Sequence, residues 1–193
     1  FIPPFFMIIV CSLKDLNNVC ESVKPKYVIS VIDPGYAPET PKGVEHHLKL
    51  GFDDIVKISP ENKIFRLNTN DIPQKLPAEN DINSIVEFTK NYKDDENIVI
   101  HCWCGVSRSM ATATYLLCRN NTSTIEENIK YIRLVAPHAN PNKLMIKLFE
   151  NKLNVKNEIS SAFEKFPYTK TYDCSSNFAP VTLFDIKEIK KLK

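Results

Sequence analysis

The nine residues His101-Cys102-Trp103-Cys104-Gly105-Val106-Ser107-Arg108-Ser109 hold the densest chemistry in the chain. Cys102 stands six positions before Arg108, directly after the β-branched run Ile98-Val99-Ile100, and a helix-compatible stretch over 110–118 follows at once. A strand that empties into a tight loop and then a helix aims backbone N–H groups at one point, and the helix N-terminus adds partial positive charge there. An anion fits such a cup. The same dipoles and the arginine favour a thiolate at its edge. The loop therefore reads as a phosphate cradle with a built-in nucleophile. Trp103, Cys104, Gly105, Val106 and Ser107 would supply the backbone donors, Arg108 would grip two oxygens bidentately, and Cys102 would attack in line. Gly105 allows backbone geometry that a Cβ resists. His101 is set to fix the loop by hydrogen bonding, and Ser109 to donate to the sulfur as it departs.

The surrounding pattern must deliver that loop. Residues 8–11 and 27–32 read as strands separated by a helix over 12–22, with Ser12 as its N-cap. Asp33-Pro34-Gly35 closes the second strand in a turn, and 46–50 is a further strand candidate. The segment 56–77 is poorly patterned, with a short strand expected at 63–67. Helical periodicity returns over 78–92 through Ile82, Ile85, Val86 and Thr89. Residues 98–101 form the best strand, short and apolar enough to be central. Helices are expected after the cysteine loop, over 124–136, from Pro141 onward and over 158–166. Strands alternating with helices early, then a helix-rich C-terminal half, predict an α/β domain with a mostly parallel central sheet flanked by helices. Ligands sit beyond the carboxyl ends of such strands, where Cys102 lies.

The loop resembles the signature of cysteine-dependent protein tyrosine phosphatases, H-C-x5-R-[S/T], and its H-C-x-x-G-x-S-R-S form is most similar to the dual-specificity branch. Together with residues 28–35 and 48–55, it resembles a compact bacterial group within that branch. The resemblance spans residues 7–153. It implies a protein tyrosine phosphatase-like fold, with 7–153 as the catalytic domain; beyond the resemblance, the apolar stretch 178–186 is expected to pack the extension 154–193 back on that domain. By that likeness Cys102 would be the nucleophile, Arg108 the phosphate-binding arginine and Ser109 the hydroxyl assisting thiolate release. Asn142 matches an asparagine that braces the phosphate loop. The implied reaction is hydrolysis of phosphotyrosine, and of phosphoserine or phosphothreonine, through a phosphocysteine intermediate.

The leaving oxygen needs a proton, which the family takes from an aspartate on a mobile loop. Asp54 fits the pattern best, although it lies 48 positions before Cys102. Asp71, 31 positions upstream, ranks second and Asp53 third. Cys104 is either a small side chain buried under the loop or a thiol that would trap oxidised Cys102. Trp103 would pack against substrate or line the outer wall of the loop. Cys118 is expected in the core.

Composition narrows the classes. The chain has 193 residues, enough for one domain with a proper core, and a formal net charge of +2, too small to argue for nucleic acid or an acidic membrane. The apolar run 1–10 is too short to span a bilayer and lacks the marks of a signal peptide, and Met7 is the expected start of translation. Six scattered cysteines do not resemble a secreted disulfide framework, so a cytoplasmic setting is expected. His46-His47 lack partners at metal-ligand spacing, and neither a metal nor a cofactor is expected. The expected partner is a phosphorylated protein or a small phosphoester; nothing in the sequence sets an oligomeric state. A sulfurtransferase loop would place the arginine at position 107, which is Ser107. A pseudophosphatase would keep binding but not turnover, and a loop without a basic side chain at 103–106 argues against inositol phosphates.

Overall fold

Strands that are apolar on both faces must be covered on both, and the chain supplies helices for each. The computed structural model describes residues 7–64, 72–189 and 191. Its strands are β1 (Ile8–Ser12), β2 (Tyr27–Ile32), β3 (His46–Gly51), β4 (Ile98–Cys102) and β5 (Thr182–Phe184). They form one sheet in the order β3-β2-β4-β1-β5. All neighbours are parallel except β5, which runs antiparallel to β1. The sheet is thus mostly parallel, as the alternation of elements predicts. β1, β2 and β4 are buried throughout, whereas the edge strand β3 is partly exposed.

Side chains alternate between the two faces of a strand. Ile9, Cys11, Val28 and Val99 meet α1 (Leu16–Val23) in a small core. Ile8, Val10, Ile29, Ile98, Ile100 and Cys102 belong to the larger core on the other face. That core is completed by α2 (Glu79–Phe88), α3 (Arg108–Cys118), α4 (Ile125–Val135), α5 (Lys143–Leu153), α6 (Glu158–Lys165) and the short α7 (Ile186–Ile189). Every residue of α3 is buried, so the helix that leaves the cysteine loop runs through the centre of the molecule. Cys118 is in its core.

Several boundaries differ from the sequence reading. The first helix begins at Leu16 rather than Ser12, which ends β1 and accepts the Asp15 N–H in the turn between. α2 stops at Phe88, where the Thr89 hydroxyl bonds back to the Ile85 carbonyl, and Tyr92 packs edge-on against Tyr27 instead of extending the helix. Asn142, not Pro141, opens α5, its side chain accepting the Met145 N–H. Lys63 and Ile64 lie in no strand, and 65–71 fall outside the described residues. Among the described residues no helix is long and apolar enough to cross a membrane.

Candidate active site

β4 and α3 meet at the loop 102–108, and the loop is built from its carbonyls outward. The Trp103 carbonyl accepts the Leu13 N–H, Cys104 that of Ala179, Val106 that of Asn140 and Ser107 that of Asn142. The Cys102 carbonyl is held by His101 Nδ1 at 3.1 Å. In a planar trans peptide the following N–H points opposite to the C=O. Five carbonyls turned outward therefore turn the N–H groups of Trp103, Cys104, Gly105, Ser107 and Arg108 inward. The Gly105 N–H duly lies 3.3 Å from Cys102 Sγ. Gly105 is required twice over: its φ is +82°, and a Cβ there would lie 3.1 Å from the backbone of Cys11.

Cys102 Sγ also meets Ser109 Oγ at 3.0 Å, and the sulfur borders a cavity of about 200 Å³. The other free cysteines have no such outlook. Burial pushes Cys20 up to about 11 and Cys118 up to about 12, and burial, then Cys20, Asp15 and Cys102, raise Cys11. Arg108 is buried beside Cys102; its Nη1 donates to Asp33 Oδ1 at 2.6 Å and to the Phe52 carbonyl at 2.7 Å. Burial works against the guanidinium's charge, but Cys102, Asp54 and Asp33 more than offset it and raise its pKa. Its Nε has no hydrogen-bond partner among the described residues. A buried donor left open beside a cavity is an anion site in waiting.

Among the candidate acids, Asp54 sits at the loop: its Oδ1 accepts from Ser107 Oγ at 2.6 Å and from Asn142 Nδ2 at 2.9 Å. Asp53 is buried and tied to Lys75, whose N–H bonds its Oδ2 at 2.8 Å. Asp71 lies outside the described residues. Asn142 links three elements, since its Nδ2 also donates to the Ile55 carbonyl and its Oδ1 caps α5. Trp103 lines the cavity, and its Nε1 donates to the Cys174 carbonyl at 3.2 Å.

Cys104 requires a correction. It is buried, but as one half of a disulfide with Cys174, so it is not a free thiol for Cys102. The scattered spacing of the cysteines gave no sign of this pair, whose partners stand 70 residues apart. Residues 172–179 return across the loop and bring the two Cα atoms to 5.3 Å.

His101 is buried, and its burial, which outweighs the Cys102 hydrogen bond, lowers its pKa to about 4. The ring is therefore neutral near pH 7. A carbonyl only accepts, so the His101 proton sits on Nδ1 and Nε2 must accept from Ser30 Oγ, 2.6 Å away. The Ser30 oxygen in turn accepts from the His47 Nε2–H at 2.7 Å, which leaves His47 Nδ1 to accept from Thr40 Oγ1 at 2.9 Å. Burial, then Lys49, lowers His47 to about 4 as well. The proton directions of the whole chain Thr40–His47–Ser30–His101–Cys102 are thus determined.

The family model of the dual specificity phosphatase catalytic domain matches residues 40–153, the stretch that carries this loop, Asp54 and Asn142. The chain belongs to that family. A protein of Acanthamoeba polyphaga mimivirus bearing a tyrosine-protein phosphatase name is 37% identical over 59 residues, which span 29% of this chain and 28% of that relative. The chain also shares its fold with a Cydia pomonella PTP-2 phosphatase (TM-score 0.51, 20% identity, 75% of this chain and 84% of that one). A structure of PTPMT1 in complex with PI(5)P is similar at TM-score 0.52 and 16% identity, over 80% of this chain and 92% of that one.

Sequence reading missed Asp33, Ser30, His47, Asn140 and Cys174. Asp33 carried a usable signal: an arginine buried behind a parallel sheet needs a carboxylate, and the carboxyl end of the strand beside β4 is where one can stand. Ser30 and His101 are register partners on β2 and β4, which only the strand order reveals.

Proposed function

We propose that this domain hydrolyses phosphomonoesters on protein tyrosine, and on serine or threonine, through a phosphocysteine intermediate. The Cys102 thiolate attacks phosphorus while the inward N–H groups and Arg108 hold the equatorial oxygens. The P–O bond to the leaving group breaks, and Asp54 supplies the proton that the leaving oxygen takes up. Water then attacks the phosphocysteine, Asp54 accepting its proton. The S–P bond breaks, inorganic phosphate departs, and the Ser109 hydroxyl donates to the returning thiolate. The observation that carries the reading is Cys102 Sγ at 3.0 Å from Ser109 Oγ and 3.3 Å from the Gly105 N–H, beside the open Nε of Arg108.

Residues 7–153 are proposed as the catalytic domain, with 154–193 packed on it. The pairing of β5 with β1, the contacts of α6 with α4 and α5, and the Cys104–Cys174 link support this. A cytoplasmic setting suits a nucleophile that must stay reduced, while the Cys104–Cys174 disulfide argues for a less reducing one. A small or lipid phosphoester is the second reading, favoured by Lys63, which the fold brings to the lining of the cavity.

Hydrolysis of p-nitrophenyl phosphate in EDTA tests the proposal. Cys102→Ser is expected to abolish turnover, and Asp54→Asn to lower kcat by about 10²–10⁴-fold, the usual worth of a general acid. EDTA-sensitive activity that survives Cys102→Ser would overturn it.

A further inference from the structure

A second and larger concavity, about 650 Å³, adjoins the catalytic cavity. Asn140 lines both, and Val56 and Lys57 on the rim of the groove follow directly after Asp54 and Ile55. A chain leaving the phosphate site past Asn140 enters this groove.

Its floor is apolar: Ala139 and Ile146 are buried there, with Phe163 and Leu144 beside them. Val56, 52% exposed, and Tyr168, 45% exposed, stand at the edges, which is more apolar surface than a solvated rim needs. Its charge is one-sided. Lys143 and Lys147 stand one turn apart on α5, Lys57 lies on the Asp54 loop, and none of the three forms an ion pair among the described residues. Glu164 is the acidic side chain in the lining. The walls are fixed by Arg133, whose guanidinium donates to the carbonyls of Phe166, Ala136, Pro137 and Ala139 and so ties α4 and α6 to the 136–139 turn.

We propose that this groove seats the polypeptide flanking the phosphorylated residue of a protein substrate, with apolar side chains on the floor and Asp or Glu side chains against Lys57, Lys143 and Lys147. The assignment rests on the phosphatase reading of the Cys102 cavity. It selects a polypeptide over a membrane on shape. A bilayer surface is flat and cannot follow a groove, whereas an extended segment fills a groove and places alternate side chains on floor and rim.

The test uses the full chain and two phosphotyrosine peptides of equal length, one with Asp, Glu, Leu and Ile around the phosphotyrosine, the other with Lys, Ser and Gly. Each kcat/KM is divided by that for p-nitrophenyl phosphate. Exposed ion pairs are individually weak, worth up to about fivefold each. The acidic–apolar peptide is expected to be preferred about tenfold at low ionic strength, less in 0.5 M salt, and Lys143→Glu/Lys147→Glu should erase the preference. Equal ratios for the two peptides, or a preference untouched by the double variant, would overturn the proposal. So would indifference to peptides combined with hydrolysis of phosphoinositide vesicles that the double variant slows, which would make this a lipid-facing surface. Fluorescence anisotropy of the same peptides on Cys102→Ser separates the two layers of the argument. Wild-type protein without turnover, together with a retained acidic-peptide preference in binding by Cys102→Ser, would sink the hydrolytic reading alone, and equal affinities would sink the groove.

Discussion

Ser30 illustrates how a residue with no catalytic chemistry of its own can act on the nucleophile. It is fully buried in β2 and stands between two neutral imidazoles, accepting from His47 and donating to His101. The His101 proton is thereby committed to Nδ1 and to the Cys102 carbonyl, the bond that turns the Trp103 N–H toward the phosphate site. Ser30→Ala leaves His101 Nε2 as a buried acceptor without a donor, which costs about 1–3 kcal/mol of stability. If the relay also positions the loop, kcat on p-nitrophenyl phosphate falls about five- to tenfold in Ser30→Ala, the loss expected from one weakened hydrogen bond in the transition state. Ser30→Thr, which keeps the hydroxyl, restores it. A Ser30→Ala enzyme with native kcat and only a lower Tm would confine the relay to the fold. Arg108 teaches a related lesson. Its role is legible in the motif, but its orientation depends on Asp33 and the Phe52 carbonyl, two groups that no spacing rule connects to it.

At the scale of elements, the strand–loop–helix unit of β4 and α3 was readable because three local signals agree there: a β-branched run, a glycine at a turn and an apolar helix. α4 was equally clear, since Thr124 and Glu127 form a reciprocal capping box at its start. Where local signals conflict, reading failed. Ser12 has the character of an N-cap, yet Ser12 pairs with Cys102 in the sheet, and the long-range ladder wins over the local cap. The segment 172–179 has no periodicity at all, because its order comes from outside itself. The Asp173 side chain gathers the N–H groups of Ser175, Ser176 and Asn177, Ala179 binds the Cys104 carbonyl, and Cys174 is joined to Cys104. A crosslink spanning 70 residues removes loop entropy from the unfolded chain worth about 4 kcal/mol in the chain-entropy account. Cys104→Ala, Cys174→Ala and the double variant should therefore lose the same 2–4 kcal/mol of unfolding free energy in denaturant titrations. Dithiothreitol should bring the native protein to their level. A native Tm indifferent to reductant would show that the two thiols do not crosslink in solution.

For the whole molecule, the Thr40–His47–Ser30–His101 relay makes stability depend on pH, because it runs from the edge strand β3 across β2 to β4 and needs both rings neutral. His101 is lowered to about 4 in the fold, by burial first, from an ordinary value of 6.5. Between those two values the unfolded chain binds a proton that the folded chain refuses, so stability is complete above about pH 6.5 and falls as the pH drops toward 4. For one such histidine the loss between pH 7 and pH 5 is about 2 kcal/mol. His47 adds a smaller share in the same direction, since its ring is partly open to water. The lowered carboxylates Asp173 and Glu126 contribute their loss at lower pH. His138, whose pKa is lowered by burial, then by Arg133 and Lys170, loses stability over the same range as His101, so wild-type data alone do not isolate His101. The comparison with His101→Asn does. Asn cannot take up the proton and its amide can still donate to the Cys102 carbonyl. The variant starts from a lower unfolding free energy at pH 7, but its further loss on going to pH 5 should be smaller than the wild type's by about 2 kcal/mol. Urea titrations of both proteins at the two pH values measure that difference. Parallel losses would mean that His101 takes up its proton in the folded state as readily as in the unfolded chain; Nε2 would then donate to Ser30, and the proton directions from Ser30 through His47 to Thr40 would be reversed while the bond to the Cys102 carbonyl stayed.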